Sequence, residues 1–187
     1  MQSNKSSKVI FISDFDGIFT MPYYSYPDHI DDLDSRSKVK YFRIHITLFM
    51  DYIFENNLVN EFIVLTGDNS KQTKIHIDYI NSRKKVNNKV KLVICDNDKK
   101  AKWIEDNIDL TDNIVLYIGD DIYDLDVAKL LNKNNQICFT VKDAPFFVKK
   151  NTNFNILDDI TESIEYLKAI KTNKAFKKLK RNKLWVF

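Results

Sequence analysis

The stretch FISDFDGIFT, residues 11–20, decides the fold. An apolar run ends in two aspartates one residue apart, Asp14 and Asp16, and Gly17 follows at once. A short apolar run bounded by turn residues reads as a buried strand. Carboxylates close such a strand only where they face a cleft or meet a cation, because an unpaired buried charge is costly. The same design recurs in EFIVLTGD (61–68) and IVLYIGDD (114–121). The chain holds only three glycines, Gly17, Gly67 and Gly119, and each follows a predicted strand beside a polar group. Glycine used so sparingly belongs where φ is unusual or a ligand approaches the backbone closely.

Working outward, β-rich runs at 8–13, 61–65, 91–95, 114–118, 136–140 and 154–157 predict six strands. Stretches of helical period separate them: Ile44, Leu48, Phe49, Tyr52 and Ile53 fit one face, as do Trp103, Ile104 and Ile108, and Leu125, Ala128, Leu130 and Leu131. Strands alternating with helices predict right-handed crossovers and a mostly parallel sheet in a Rossmann-like three-layer α/β/α arrangement. Ligands of such sheets bind beyond the carboxyl ends of the strands, which is where Asp14 and Asp16 fall.

A length of 187 residues with 44% hydrophobic content predicts one domain with one core. Cys95 and Cys138 each follow a β-branched residue in a predicted strand with no metal-ligand spacing, and read as buried free thiols. No apolar run approaches the roughly 18 residues of a membrane span, and MQSNKSSK lacks the apolar core of a signal peptide. The expectation is a cytoplasmic protein with no membrane partner. His29, His45 and His76 show no ligand spacing. Net charge is +3, but eight cations and no acidic residue follow Glu165, so the body is mildly acidic and the tail basic.

The predicted strand ends gather Asp14, Asp16, Thr66, a lysine of DNDKKAKW and the acidic cluster Asp120, Asp121 and Asp124. Carboxylates packed together repel unless a proton or cation neutralises them. Oxygen-only ligands select a hard ion, and Mg²⁺ is the first choice. A magnesium ion, a lysine, a hydroxyl and exposed amides make a phosphoryl site. One aspartate can attack phosphorus while the other protonates the leaving oxygen.

In their order, DFDGIFT, IVLTGD, the DNDKKAKW lysine and VLYIGDDIYD resemble the four motifs of the haloacid dehalogenase-type phosphatases. The short spacing after the first motif is similar to the small uncapped branch that holds octulosonate 8-phosphate and nonulosonate 9-phosphate phosphatases. That resemblance implies Asp14 as nucleophile and Asp16 as general acid and base. It implies Mg²⁺ held by Asp14, the Asp16 carbonyl and Asp120, with Asp121 or Asp124 behind them. Thr66 and the Gly67 amide would take phosphate oxygens together with a lysine: Lys99 is favoured, because DK before a helix is similar to the family pattern, while Lys100 fits the helical phase about equally well, and the sequence does not settle the register. The implied enzyme is a phosphoric monoester hydrolase forming an aspartyl-phosphate from a small-molecule sugar phosphate. A receiver domain uses similar residues, but there the acidic pair comes first and the phosphorylated aspartate stands alone on a later strand.

The likeness spans about 9–170, giving a phosphatase domain over 1–170 and a basic tail over 171–187. In the resembled branch the segment after the first motif is a hairpin that assembles a homotetramer, and 21–41 is the matching stretch here. Arg36, Lys38, Lys40 and Arg43 are candidates for a substrate carboxylate. Asp68 stands where the octulosonate enzymes commonly carry arginine, which favours a nine-carbon acidic sugar. The tail interleaves lysines with Phe176, Leu179, Leu184, Trp185 and Phe187. It raises two alternatives: a polynucleotide end-phosphatase whose tail binds nucleic acid, or a phosphate-binding assembly protein.

Overall fold

A computed structural model of the chain describes residues 7–20, 42–43, 45–83, 90–151 and 153–172. Its strands are β1 (Val9–Ser13), β2 (Glu61–Thr66), β3 (Val90–Ile94), β4 (Ile114–Ile118), β5 (Ile137–Val141) and β6 (Asn155–Leu157). Its α-helices are α1 (His45–Glu55), α2 (Lys71–Ser82), α3 (Lys100–Asn107), α4 (Asp124–Lys133), α5 (Phe146–Lys149) and α6 (Ser163–Thr172). The six strands form one sheet in the order β3-β2-β1-β4-β5-β6, and every neighbouring pair is parallel. The predicted strands are present, with ends moved by a residue or so. Cys95 falls just beyond β3 and is half-buried, while Cys138 lies buried in β5, and both are free thiols.

That order fixes the position of the crevice. The chain leaves β1 towards β2 and β3, then returns to the other side of β1 to lay down β4, β5 and β6. Crossovers on opposite sides of β1 and β4 open a gap beyond their carboxyl ends, the place where doubly wound sheets take ligands. Asp14 follows β1 and Gly119–Asp120 follow β4, and the Asp14 amide still donates to the Ile118 carbonyl at 2.9 Å. The two acidic segments are thus tied together at the mouth of the gap.

The core explains why these strands sit centrally. All five residues of β4 and of β5 are buried, whereas the edge strands β3 and β6 expose Ile94 and Ile156. Between β1, β2 and α1, Phe11 stacks on Phe62 at 5.1 Å and both meet Phe49 edge-on. Each buried phenyl ring contributes about 1.5–3 kcal/mol of transfer free energy. The inward face of α1 is Ile46, Phe49, Met50, Ile53 and Phe54. The expected face included Leu48 and Tyr52, and both are exposed because the helix turns Phe49 and Phe54 towards Phe11 and Phe62. The other two expected faces hold better: Ile104 and Ile108 are buried with Trp103 packed beside them, and Ala128 and Leu131 are buried with Leu125 and Leu130 against the core.

Thr20 and Phe42 form an antiparallel bridge, and the Arg43 amide donates to the Phe19 carbonyl at 2.9 Å. The hairpin expected within 21–41, with Arg36, Lys38 and Lys40, lies outside the described residues, as do Ile44 and the tail beyond Thr172. No helix of the described residues is long and apolar enough to cross a membrane.

Candidate active site

Asp14 stands first beyond β1 and is almost wholly buried. One carboxylate oxygen accepts the Phe15 amide at 2.6 Å and the other accepts the Lys100 ammonium at 2.7 Å. Lys100 also donates to Asp124 Oδ1 at 3.0 Å, and its side chain is only 2% exposed. Lys99, the lysine favoured from the sequence, is solvent-exposed and pairs with Asp96 at 2.5 Å instead of joining the cluster. A single 3-10 turn over Asn97–Lys99 precedes α3, and its tighter winding carries Lys100 inward while Lys99 points out.

Asp124 opens α4 and is fully buried. Both of its oxygens are engaged: Oδ1 accepts from Lys100 and from the Tyr117 hydroxyl at 2.5 Å, and Oδ2 accepts the Asp121 amide at 3.0 Å. Asp121 itself is exposed, with its carboxylate accepting the Ile122 amide at 2.5 Å. Sequence reasoning did not single out Tyr117. The signal was available, since a tyrosine in a strand buried on both faces needs a partner for its hydroxyl. Desolvation, with Asp124 beside it, raises the Tyr117 pKa well above its usual value, so the phenol stays a donor.

Asp120 completes the group. Carboxylate oxygens of Asp14, Asp120 and Asp124 lie within 4.8 Å of one another. Gly17 has φ +74°, and a β-carbon there would stand 1.8 Å from Asp120 Oδ2, so glycine gives the turn both its conformation and its room for the carboxylate. Gly67 is pressed in the same way by Asn97, whose Oδ1 would meet a β-carbon at 2.3 Å. Asn97 is a second polar residue of the site region that the sequence reading passed over.

Burial and the charges packed round them shift these groups. Desolvation, helped by Asp124, pushes the Asp14 carboxyl up to about 7 even with Lys100 against it. Desolvation and the neighbouring carboxylates of Asp14, Asp124 and Asp121 push Asp120 up to about 8. Burial on its own would lower the Lys100 pKa, but Asp14 and Asp124 outweigh it and raise the value, keeping the ammonium charged. Near neutral pH, Asp14 and Asp120 therefore share too little positive charge, and a hard divalent cation is what an all-oxygen cluster of this kind accepts. The donors fit Mg²⁺.

The other sequence candidates divide. Asp16 sits at the partly buried turn after β1, where its Oδ1 accepts the Thr20 hydroxyl at 3.4 Å. Thr66 ends β2, is 2% exposed, and its hydroxyl accepts the Asp68 amide at 3.0 Å. The Asp68 carboxylate turns to the start of α2, accepting Ser70 Oγ at 2.7 Å, the Ser70 amide at 3.1 Å and the Thr73 hydroxyl. Ser70 in turn caps the helix by accepting the Thr73 amide. Arg43 directs its guanidinium at main-chain carbonyls of the 17–20 turn.

No protein-family model matches the sequence, and no curated protein sequence matches it significantly. Solved structures do match. The 3-deoxy-D-manno-octulosonate 8-phosphate phosphatase of Moraxella catarrhalis, solved with magnesium, phosphate and KDO, superposes with a TM-score of 0.61 at 16% identity, covering 91% of this chain and 90% of that one. A probable YrbI-family phosphatase of Pseudomonas syringae gives 0.63 at 15% identity, over 97% and 96%. The HAD domain of a Legionella pneumophila effector gives 0.52 at 13%, over 90% and 96%. At these identities the likeness establishes the fold, which is that of the haloacid dehalogenase-type phosphatases.

Proposed function

We propose that this chain is a magnesium-dependent phosphomonoesterase that hydrolyses an acidic keto-sugar phosphate through an aspartyl-phosphate on Asp14. The observation that carries the reading is the buried Lys100 ammonium on Asp14, with Asp120 beside it, at the carboxyl ends of β1 and β4. Asp14 and Asp120, with the Asp16 carbonyl, would hold the ion; Asp124, both of whose oxygens are already occupied, orients Lys100 instead. When bound, the ion supplies positive charge to the phosphoryl oxygens.

Lys100 holds one Asp14 oxygen and offers the incoming phosphoryl group a cation, while the Phe15 amide fixes the other oxygen. An Asp14 oxygen bonds to phosphorus as the ester P–O bond breaks, and the proton of the Asp16 carboxyl passes to the leaving sugar oxygen. The Asp16 carboxylate then takes a proton from water as the water oxygen attacks phosphorus. The bond to Asp14 breaks, and inorganic phosphate leaves. Thr66 and the Gly67 amide lie at the end of β2 to receive phosphate oxygens.

The sugar class is supported by the KDO bound to the Moraxella enzyme, whose fold this chain shares over nine-tenths of its length. Asp68 no longer favours a nine-carbon substrate over an eight-carbon one, because its carboxylate serves α2. The basic tail, 171–187, overlaps the end of α6, where Lys171 donates to the Asn56 carbonyl, at the edge where the strands begin and opposite the crevice, and the rest of it lies outside the described residues. A tail role in substrate binding therefore rests on the sequence alone, as does a tetramer built through 21–41. The deciding experiment is phosphate release with Mg²⁺ from octulosonate 8-phosphate, nonulosonate 9-phosphates, simple sugar phosphates and phosphorylated oligonucleotides, using wild type and Asp14→Asn. Turnover of an acidic keto-sugar phosphate that Asp14→Asn abolishes is expected. Hydrolysis that survives in Asp14→Asn, or a preference for oligonucleotide ends, refutes the reading.

A further inference from the structure

Arg43 was a candidate for recognising a substrate carboxylate, and the structure gives it other work. A carboxylate-binding arginine presents its fork of donors to the ligand. The Arg43 side chain is only 13% exposed, and its Nε and Nη2 donors are engaged within the protein. Nε donates to the Thr20 carbonyl at 3.3 Å, and Nη2 donates to the Gly17 carbonyl at 3.3 Å and to Asp143 Oδ2 at 3.5 Å. Asp143 lies between β5 and α5, so the guanidinium fastens the turn after β1 to a loop from the far half of the sheet.

Inside the turn that Arg43 clasps, the contacts lead to Asp16. The Thr20 hydroxyl accepts the Gly17 amide at 3.2 Å and donates to Asp16 Oδ1 at 3.4 Å. Gly17 and Thr20 are the two residues whose carbonyls Arg43 holds. The spacing between them sets where the hydroxyl sits, and the hydroxyl sets where the Asp16 carboxylate points. Gly17 is in the left-handed region at φ +74°, a conformation that the loop must hold without help from a side chain of its own. We propose that Arg43 is a positioning residue, which closes the 17–20 turn so that Thr20 aims Asp16 at the leaving oxygen. This rests on the phosphatase reading above and adds to it the residue that sets the geometry of proton transfer.

The test uses two substrates without a carboxylate, phenyl phosphate and p-nitrophenyl phosphate. Phenolate needs a proton as it departs, and nitrophenolate departs with little help. Because kcat/KM reports the steps up to loss of the leaving group, a misaimed Asp16 penalises phenyl phosphate selectively. Arg43→Lys, which keeps the charge but cannot fork between two carbonyls, and Arg43→Ala are expected to lower kcat/KM for phenyl phosphate by roughly ten- to a hundredfold. The loss on p-nitrophenyl phosphate should be several times smaller. Thr20→Val, which removes the hydroxyl without touching the arginine, should reproduce that leaving-group dependence even if the Arg43 variants fold poorly. Equal losses on both substrates would make Arg43 merely structural and overturn the proposal. So would unchanged aryl phosphate turnover with a raised KM for an acidic sugar phosphate, which would restore Arg43 to carboxylate recognition. If the wild type with Mg²⁺ hydrolyses no phosphate ester at all, the phosphatase reading itself fails and this proposal falls with it.

Discussion

Lys100→Met removes the ammonium from the carboxylate cluster and leaves most of its aliphatic stem in place. Two charge-assisted hydrogen bonds are lost, at 2.7 Å to Asp14 and 3.0 Å to Asp124, from a side chain 2% exposed. Breaking a buried pair from one side costs about 3–5 kcal/mol, most of it for the charges left uncompensated. Here the cluster has a way to lessen that cost. Asp14 already sits at about 7 with the ammonium present, so near neutral pH it takes a proton almost freely once the ammonium is gone. The expected loss at pH 7 is therefore at the lower end, about 3 kcal/mol, or a Tm lower by roughly 6–12 °C for a domain of this size. The pH dependence follows in sign. Carboxyls whose folded pKa lies above the unfolded 3.8 bind more protons in the folded state, so their contribution falls as pH rises through the folded value. Without Lys100 those values rise further, and the Tm gap between wild type and variant should widen from pH 5 to pH 8. The assay is calorimetry in EDTA across that range, with Lys99→Met as the surface control, expected to leave Tm within scatter. A Lys100→Met protein as stable as wild type, or a gap that narrows as pH rises, would show that the cluster is not held by this ammonium.

Three other outcomes follow from the same geometry. Adding Mg²⁺ at pH 7.5 should raise Tm and release protons, because the ion replaces protons on carboxyls lifted to about 7 and about 8, and Asp120→Asn should remove most of that response. Gly17→Ala should cost about 1–2 kcal/mol for the left-handed backbone alone, and it should also blunt the Mg²⁺ response, since the new β-carbon occupies the place of the Asp120 carboxylate; an unaltered metal response in a folded Ala variant would contradict this. His76 stacks on Phe42 at 3.7 Å, and burial lowers its pKa from 6.5 to about 4. Between those values the unfolded chain holds the proton and the folded chain does not, so the contribution is full above pH 6.5 and is lost as pH falls towards 4. With the half-exposed ring discounted for solvent it amounts to on the order of 1 kcal/mol, seen in denaturant titrations from pH 4 to 7 and absent from His76→Phe.

The sheet could be read from the sequence because its central strands are buried on both faces and therefore appear as unbroken apolar runs. The acidic residues that end β1 and β4 could be read for the opposite reason, since they break those runs where a core would not tolerate a charge. The face of α1 could not. Leu48 is as apolar as Met50 and Tyr52 carries a ring like that of Phe54, and what selects between the two sets is the position of Phe11 and Phe62 on β1 and β2. The lysine pair fails similarly, because a turn of 3-10 helix before α3 shifts the phase by an amount that residue types do not encode.

Asp68 and Arg43 mark a different limit. Their residue types suited substrate recognition, and in the structure each is used by the backbone or by local polar groups: Asp68 by the start of α2, and Arg43 by the carbonyls of the 17–20 turn. A main-chain carbonyl has no letter of its own, so a side chain that binds one leaves no pair of residues to find in the sequence. The candidate reacting groups of this site are legible because the chemistry proposed for them demands particular side chains. The contacts of Arg43 run instead to backbone carbonyls that every residue carries, and they become visible only once the fold has brought residue 43 back against residues 17 and 20.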